Sequence, residues 1–483
     1  MHSHIAIELL KILNEEEIKL LGDFIRSPYF NKREVLIRLY DLVAKHSPDF
    51  TNSSLKKENL YKKLFPGKEY NEQTLRSRIS DFSNLIKIFI IENKFRSDTT
   101  AQKKYFISEM TKRKKFELSE KHINEAIAEM EVTPNYGEEF FSDKFSLLTQ
   151  HVSLWLAMDQ KINALNSAYE RSELFLNQSL MEIMKINNDI VCYEIETKNK
   201  PEFSFASLFL ENFNFEGYLN TLMEMDYKHY PLIASYFYGN LSMYKPEEEK
   251  YFYKLKDIIY KYHSKFEMME LYNLWSILSN CVYTNYLSKG IKFMHEGNEI
   301  NKFFINNELY DKNKPFSALG YQNILMNALL VNDLDWGEEF IDTFKNKLAP
   351  EVVTNRYHFC KALIYFERKD YNGAIGHLNF VKYTDWDLKI NTRLNYLKNY
   401  YELGISDQVD SLIDSIRHYL TKNVDMFPEY AHLRFKNTLN HISKMSNAKF
   451  SGKKLDYADY MEAEKSEEYL HKTWILEKMK DLI

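Results

Sequence analysis

Glycine and proline are scarce in this chain. Only 13 of its 483 residues are glycine and 10 are proline, whereas soluble proteins contain about 7% and 5%. Sheets joined by tight turns depend on these two residues, so their scarcity argues against an all-β fold. Tyrosine and phenylalanine are abundant instead, with 35 and 33 copies. Large rings fill the space between packed helices, which favours a helical protein.

Cysteines and long apolar runs are also few. The three cysteines, Cys192, Cys281 and Cys360, lie far apart and form no pattern typical of a zinc site or a redox dithiol. We expect them to be buried small apolar residues. No apolar run approaches the roughly 20 residues that span a bilayer, and the N-terminus lacks the cleavage site of a signal peptide. The sequence therefore predicts a cytoplasmic protein without a membrane partner.

Charge is distributed unevenly along the chain. Residues 1–115 contain 23 Lys/Arg and 15 Asp/Glu, a net charge of +8, and the remainder carries −13 because the whole chain carries −5. A basic N-terminal part can mark a surface for nucleic acid or for an acidic partner.

Polar residues at capping positions predict helices in the basic part. Two residue pairs match the capping box, in which each side chain forms a hydrogen bond with the backbone N–H of the other residue. They are Asn14 with Glu17 and Asn31 with Glu34. The first of these two helices is expected to end before Pro28.

Two further helices are predicted on either side of the Pro66-Gly67 turn. Ser54 is expected to cap a short helix that ends at Phe65, and Asn71 a long one that ends near Lys94. The long helix has an apolar stripe at spacings of three and four, formed by Leu75, Ile79, Phe82, Ile86 and Phe89.

Small or apolar residues recur at intervals of 34 and 35 residues between Phe316 and Leu420. The recurring sets are Ala328, Ala362 and Leu397, then Phe340, Ala374 and Val409, and finally Phe344, Leu378 and Ile413. Three positions that repeat in step predict a unit of two helices, with the first position on the first helix. A lone helix pair cannot bury its apolar face, so such units stack on one another.

Residues 360–378, CKALIYFERKDYNGAIGHL, resemble the tetratricopeptide repeat family. The resemblance is carried by Ala362, Tyr365, Tyr371, Ala374 and Leu378. Phe340 and Leu397 depart from it, because the family prefers small residues there, so an irregular stack is expected. The family resemblance implies a groove that binds a peptide or another protein, a function argued by analogy.

Residues 32–94 resemble the winged-helix head of bacterial transcriptional activators. The order is a short helix, the turn LFPG, and a helix with the pattern N-x-x-x-L-R-x-x-I-x-x-F. That resemblance implies contacts of the last helix with DNA, and the candidate residues are Lys62, Lys63, Arg76, Arg78 and Lys87. The alternative is a helical bundle whose basic residues face water, since the helical pattern continues where the wing would begin.

The sequence contains no motif of an enzyme. It lacks the phosphate-binding loop, the dinucleotide-binding turn and the HExxH zinc helix. His295 and Glu299 are four residues apart, but two ligands do not make a metal site without a third. We therefore predict no catalytic, cofactor-binding or metal-binding residue and no small-molecule substrate, and we do not expect an enzyme.

Together these observations predict an all-α protein with an N-terminal helical bundle followed by an irregular solenoid of helix hairpins similar to tetratricopeptide repeats. The predicted parts are a basic domain at 1–96, a basic connection at 97–120, a degenerate helical-repeat body at 121–315, clear repeats at 316–425 and capping helices at 426–483. One charged helix is expected from Tyr457 to Ile483, with an apolar side formed by Leu470, Trp474, Ile475, Met479 and Leu482.

Two functions are compatible with this organisation. The first is a non-enzymatic interaction or scaffold protein that binds another protein or a peptide in the groove of its repeats. The alternative is a transcriptional regulator that binds DNA through the basic head and senses a partner through the repeats.

Overall fold

The computed structural model of the chain describes residues 5–132, 137–197, 199, 204–383, 386–466 and 468–483. In these residues it contains 24 α-helices and five short 3-10 helices, and its one β pairing is an isolated parallel bridge between Phe316 and Leu348. The predicted all-α fold is confirmed. No helix in the described ranges has both the length and the apolarity needed to cross a membrane.

The chain divides into two compact units, one formed by Met1–Thr133 and Ser142–Leu174, the other by Pro134–Phe141 and Phe175–Ile483. The first unit contains α1 (Ile5–Lys11), α2 (Glu15–Arg26), α3 (Glu34–Val43), α4 (Lys57–Leu64), α5 (Glu72–Ser97), α6 (Thr99–Lys112) and α7 (Phe116–Val132). Both units include residues of α8 (Glu138–Ala157) and α9 (Lys161–Thr197). The five-part division proposed from the sequence stays a prediction.

The second unit contains the remaining helices. They are α10 (Phe205–Asn212), α11 (Phe215–Glu224), α12 (Tyr230–Tyr244), α13 (Lys250–Tyr262), α14 (Met268–Lys289), α15 (Lys292–Asn306), α16 (Ala318–Leu330), α17 (Leu334–Phe344), α18 (Pro350–Glu367), α19 (Tyr371–Leu378), α20 (Trp386–Leu403), α21 (Ser406–Lys422), α22 (Glu429–Ser451), α23 (Tyr457–Lys465) and α24 (Lys472–Lys480).

Helices α1 to α5 pack around one apolar core in the first unit. The predicted capping box is present at the start of α2, where the Asn14 carboxamide accepts a hydrogen bond from the Glu17 N–H and the Glu17 carboxylate accepts one from the Asn14 N–H, each at 2.9 Å. Asn71 caps α5 by accepting from the Thr74 N–H at 2.8 Å. The five predicted stripe residues of α5 are all buried in this core.

Two other predicted caps are wrong. Asn31 does not cap α3, which begins at Glu34; its carboxamide accepts from the Arg33 N–H at 2.8 Å and donates to the Ile25 carbonyl at 2.9 Å. Asn31 therefore forms an Asx turn that closes the loop after α2. Ser54 lies inside a 3-10 helix, Ser53–Leu55, and α4 begins later without a side-chain cap.

The long helix α5 continues to Ser97, and α6 begins at Thr99. Residues 72–132 are therefore helical apart from short breaks, and the β-hairpin wing of a winged-helix module does not follow the third predicted helix. The basic run at 112–115 lies at the break between α6 and α7.

Consecutive helices of the second unit pack as hairpins. The pairs are α12 with α13, α14 with α15, α16 with α17, α18 with α19 and α20 with α21. First helices of neighbouring pairs also contact each other, namely α12 with α14, α16 with α18 and α18 with α20. The intervals of 34 and 35 residues correspond to this arrangement, because each set of repeated positions falls on equivalent helices of the last three pairs. This is a helical-repeat fold, and its helix pairing extends upstream of the clear repeats predicted at 316–425.

The chain end closes the apolar core of the last hairpins. Buried apolar residues between Phe359 and Met479 form one core cluster, which includes Trp474, Ile475 and Met479. The predicted single helix at 457–483 is wrong, because the chain breaks between α23 and α24. At this break the Leu470 N–H donates to the Thr438 hydroxyl at 2.8 Å, which turns the chain so that α24 can pack on α22.

Two of the three cysteines are the buried residues that the sequence predicts. Cys281 and Cys360 are buried, whereas Cys192 is half-buried. Burial raises the pKa of each of the two buried thiols to about 12. Both therefore stay protonated at neutral pH and behave as small apolar side chains.

Candidate functional site

A concave groove of about 610 Å³ lies between helices α14, α15 and α16 in the second unit. Its volume is typical of binding clefts, which measure about 300–1,000 Å³. The first helices of two neighbouring hairpins, α14 and α16, form its walls, and α15 contributes to its floor. We call it the α14–α16 groove.

The walls of the α14–α16 groove present large apolar side chains to solvent. The exposed fractions are 37% for Tyr272, 49% for Tyr283, 64% for Leu319, 39% for Met326 and 47% for Leu330. Scattered single apolar residues on a surface need no explanation. Five that line one cavity form a patch of the kind that marks binding sites.

Side-chain contacts of lining residues support both walls of the groove. The Trp275 ring of α14 stacks on Phe304 of α15, with ring centres 4.7 Å apart, and its indole N–H donates to Asn301 at 3.2 Å. On the opposite wall, the Ser317 hydroxyl caps α16 by accepting from the Gly320 N–H at 3.2 Å. The first set of contacts joins α14 to α15, and the second stabilises the first turn of α16.

Close helix packing behind the groove depends on glycine. A Cβ atom on Gly297 of α15 would lie 2.8 Å from Val282 of α14 and 3.0 Å from Asn327 of α16. The first distance is too short for two carbon atoms and the second is tight, so the close packing of the floor helix on both walls depends on the missing side chain at residue 297.

Charged residues are absent from the groove lining in the described part of the chain, although 28% of all residues are charged. The polar members of the lining are neutral and include the carboxamides of Asn280, Asn301, Asn323 and Asn327. Tyrosine is the only ionisable residue type among the described residues of this lining.

The six predicted repeat-packing residues lie away from the groove lining. Their places are Ala328 in α16, Phe340 in α17, Ala362 in α18, Ala374 in α19, Leu397 in α20 and Val409 in α21, and all six are buried. In the first of these three hairpins the close approach involves Gly337 rather than Phe340, because a Cβ on Gly337 would lie 3.3 Å from that of Ala328.

The predicted nucleic-acid residues lie on α4 and α5 of the first unit. Lys62 and Lys63 are exposed in the last turn of α4. Arg76 and Lys87 line a surface cavity of about 470 Å³ together with Lys57 and Glu72, and the structure brings these two candidates together. Lys62, Lys63 and Arg78 do not line that cavity.

Carboxylates form ion pairs with two of these cations. Arg76 lies 3.3 Å and Lys57 lies 2.8 Å from the Glu72 carboxylate, and hydrogen bonding with Lys57, followed by the charges of Lys57 and Arg76, lowers the pKa of Glu72. Arg78 lies 2.8 Å from Asp81, which also pairs with Arg33. Two of the five candidates are therefore held in surface ion pairs.

The groove residues were not identified from the sequence, although a signal for them exists. No charged residue occurs from Leu271 to Ser288 or from Pro315 to Asn332. A helix with one buried face normally carries charges on the opposite face. Helix α16 carries no charge, and α14 carries charges only near its ends, at Glu270 and Lys289, so the second face of each helix is also largely apolar.

Comparison of the chain with protein-family models, with curated proteins and with solved structures finds no match.

Proposed function

We propose that this chain is a non-enzymatic interaction protein that binds a segment of another polypeptide in the α14–α16 groove. The observation that carries the proposal is the cluster of five exposed apolar side chains along the walls of one preformed cleft. Leaving such side chains in water costs free energy, and a bound segment would recover it by burying them.

The position of the groove in the fold supports this proposal. Neighbouring helix hairpins present their first helices side by side, which produces a concave surface with a helix on each side. Clefts between packed helices are a common place for ligands and for peptide segments. The resemblance to tetratricopeptide repeats points to the same mode of action by analogy.

Two buried thiols support a cytoplasmic location for this activity. Cys281 and Cys360 are free and buried, and such thiols suit a reducing compartment.

A photocrosslinking experiment tests the proposal. A photoreactive phenylalanine analogue is placed at Met326 of the full chain, and crosslinked peptides are recovered from native extract and identified. A specific segment should be captured, and adding Leu319→Asp should abolish its capture. Leu319 lies in the first turn of α16, where an acidic residue is favourable for the helix, so folding should be retained.

Leu165→Asp is the matched control, because Leu165 is an exposed leucine of α9 outside the groove. Capture should survive this substitution. Two outcomes would contradict the proposed function. One is equal capture by the Leu319→Asp and Leu165→Asp chains. The other is capture no greater than the background of a chain that lacks the photoreactive residue.

Binding of DNA by the first unit is the second candidate function. It is favoured by the shared cavity of Arg76 and Lys87 and by the exposed Lys62 and Lys63. Binding of the full chain to duplex DNA should then weaken steeply as salt is added, because cations on a protein displace counterions from the phosphates. Lys62→Gln with Lys87→Gln should reduce the salt dependence, and absence of binding at low salt would exclude this function.

A further inference from the structure

We propose that the α14–α16 groove selects an uncharged peptide segment with apolar side chains, whose main-chain amides pair with Asn280, Asn323 and Asn327. This inference rests on the proposed function and adds the chemistry of the bound segment.

The lining argues for a segment without charge. A charged side chain that enters the groove would lose water and find no residue of opposite charge in the lining. Burial of an unpaired charge is among the most costly events in protein association. The exposed leucines, methionine and tyrosines of the walls offer apolar contacts in its place.

The asparagines argue for a peptide. In the described part of the chain the half-buried Asn280 and the exposed Asn323 form no side-chain hydrogen bond with another residue, and the buried Asn327 Oδ1 accepts none. The Asn327 amide donates only to the sulfur of Met294, at 3.2 Å, which is a weak acceptor. A carboxamide offers one acceptor and a donor group, which is the combination that complements a peptide bond.

The three asparagines stand on both walls of the groove. Asn280 belongs to α14, and Asn323 and Asn327 belong to α16. A peptide laid between the helices would therefore meet hydrogen-bonding groups from both sides while its side chains contact the apolar residues. An alkyl chain would cover the same apolar walls but leave the three carboxamides without partners, which costs free energy for each buried group.

A random-sequence peptide display library provides the test. The library is selected on the immobilised full chain and counter-selected on the Leu319→Asp chain. The selected peptides should share a core of apolar and neutral residues in which Asp, Glu, Lys and Arg are depleted relative to the starting library. Replacing one core residue of a selected peptide by Asp or Lys should weaken binding at least about tenfold, equal to about 1.4 kcal/mol.

Asn323→Leu separates a peptide from an alkyl ligand. This substitution should weaken the selected peptides several-fold and should not weaken binding of dodecanol, a neutral alkyl probe. Asn212→Leu, at an exposed asparagine of α10 outside the groove, is the matched control and should leave peptide binding unchanged.

The possible outcomes are distinguishable. Selected peptides that depend on Leu319 but are rich in charge would overturn this inference and leave the proposed function standing. Dodecanol binding without any peptide that depends on Leu319 would overturn both. If peptides with a neutral core bind the Asn323→Leu chain and the original chain with equal affinity, the role of the asparagines is refuted.

Discussion

The ammonium group of Lys361 lies 2.6 Å from a carboxylate oxygen of Glu338 and 2.8 Å from one of Asp342. Lys361 belongs to α18, and both acids belong to the preceding α17, so one buried lysine joins two consecutive hairpins. Burial lowers the pKa of Lys361, but its hydrogen bonds with Asp342 and Glu338 outweigh that effect and raise the pKa. This lysine is charged whenever the protein is folded near neutral pH.

We predict that Lys361→Met lowers the free energy of unfolding by roughly 2 kcal/mol. Removing one partner of a fully buried pair costs about 3–5 kcal/mol, and the cost is smaller here because Asp342 is partly exposed and Glu338 also contacts Arg368. Urea denaturation measures the change. Lys312→Met, which removes an exposed pair with Glu308, should have no measurable effect; equal effects of the two variants would refute the prediction.

A second lysine, Lys398 of α20, gives the fold a distinctive pH dependence. It is buried with its ammonium 4.0 Å from the centre of the Phe366 ring, and burial lowers its pKa to about 8. An unfolded lysine titrates near 10.4. Between pH 8 and 10.4 the unfolded chain binds a proton that the folded chain does not, so the contribution of Lys398 to stability rises with pH in this window.

We therefore expect Lys398→Met to stabilise the protein at pH 7, by up to roughly 3 kcal/mol for a shift of this size, and to remove the rise between pH 8 and 10.4. The measurement is urea denaturation of both chains across this range, compared as a difference so that other titrating groups cancel. Lys436→Met, at an exposed lysine of α22, should leave the pH profile unchanged. A difference that does not vary with pH would be inconsistent with a buried charge at Lys398.

Two glycines should respond in opposite directions to alanine. A Cβ on Gly239 of α12 would lie 2.6 Å from Ile277 of α14, whereas a Cβ on Gly376 of α19 would meet nothing within 4 Å. Gly239→Ala should lower the free energy of unfolding by roughly 1–2 kcal/mol, because overpacking outweighs the gain in helix propensity. Gly376→Ala should raise it by about 0.5–1 kcal/mol. Denaturation of both variants tests the close contact between α12 and α14. The prediction is wrong if Gly239→Ala also raises the free energy of unfolding.

The carboxyl group of Glu182 on α9 should make stability fall as pH rises towards neutrality. The neighbouring Glu138 carboxyl, followed by burial, raises the pKa of Glu182 to about 7, while Lys185 opposes the shift. Below pH 4 the group is protonated in both states, and its stabilising contribution is lost as pH rises to about 7. Glu182→Gln should flatten thermal unfolding profiles between pH 4.5 and 7, and Glu224→Gln, at an exposed site of α11, should not.

Much of the helix pattern was predictable because it depends on local chemistry. Asn14 and Asn71 were recognised as caps since each is followed at once by a helix with a regular apolar stripe. The cap at Asn31 failed because its carboxamide has a competing local partner at Arg33, two residues along the chain. Such competition depends on where the helix begins, and the sequence does not specify that to within two residues.

The repeat interval was predictable for a different reason. Equivalent positions of stacked hairpins are buried in the same way, so apolar residues recur there at the interval of the unit, as at Ala328, Ala362 and Leu397. The groove left a less specific record. Its wall helices lack charges from Leu271 to Ser288 and from Pro315 to Asn332, but the sequence does not distinguish an uncharged face that meets another helix from one that faces solvent.

The two buried thiols have a practical consequence for studying this fold. Alkylating reagents attack the thiolate, and Cys281 and Cys360 remain protonated inside the folded hairpins, so neither should react until its own helix separates from its neighbours. Cys281 lies on the wall helix α14 and Cys360 on α18. The alkylation rate of each cysteine therefore reports how fast its own part of the stack opens.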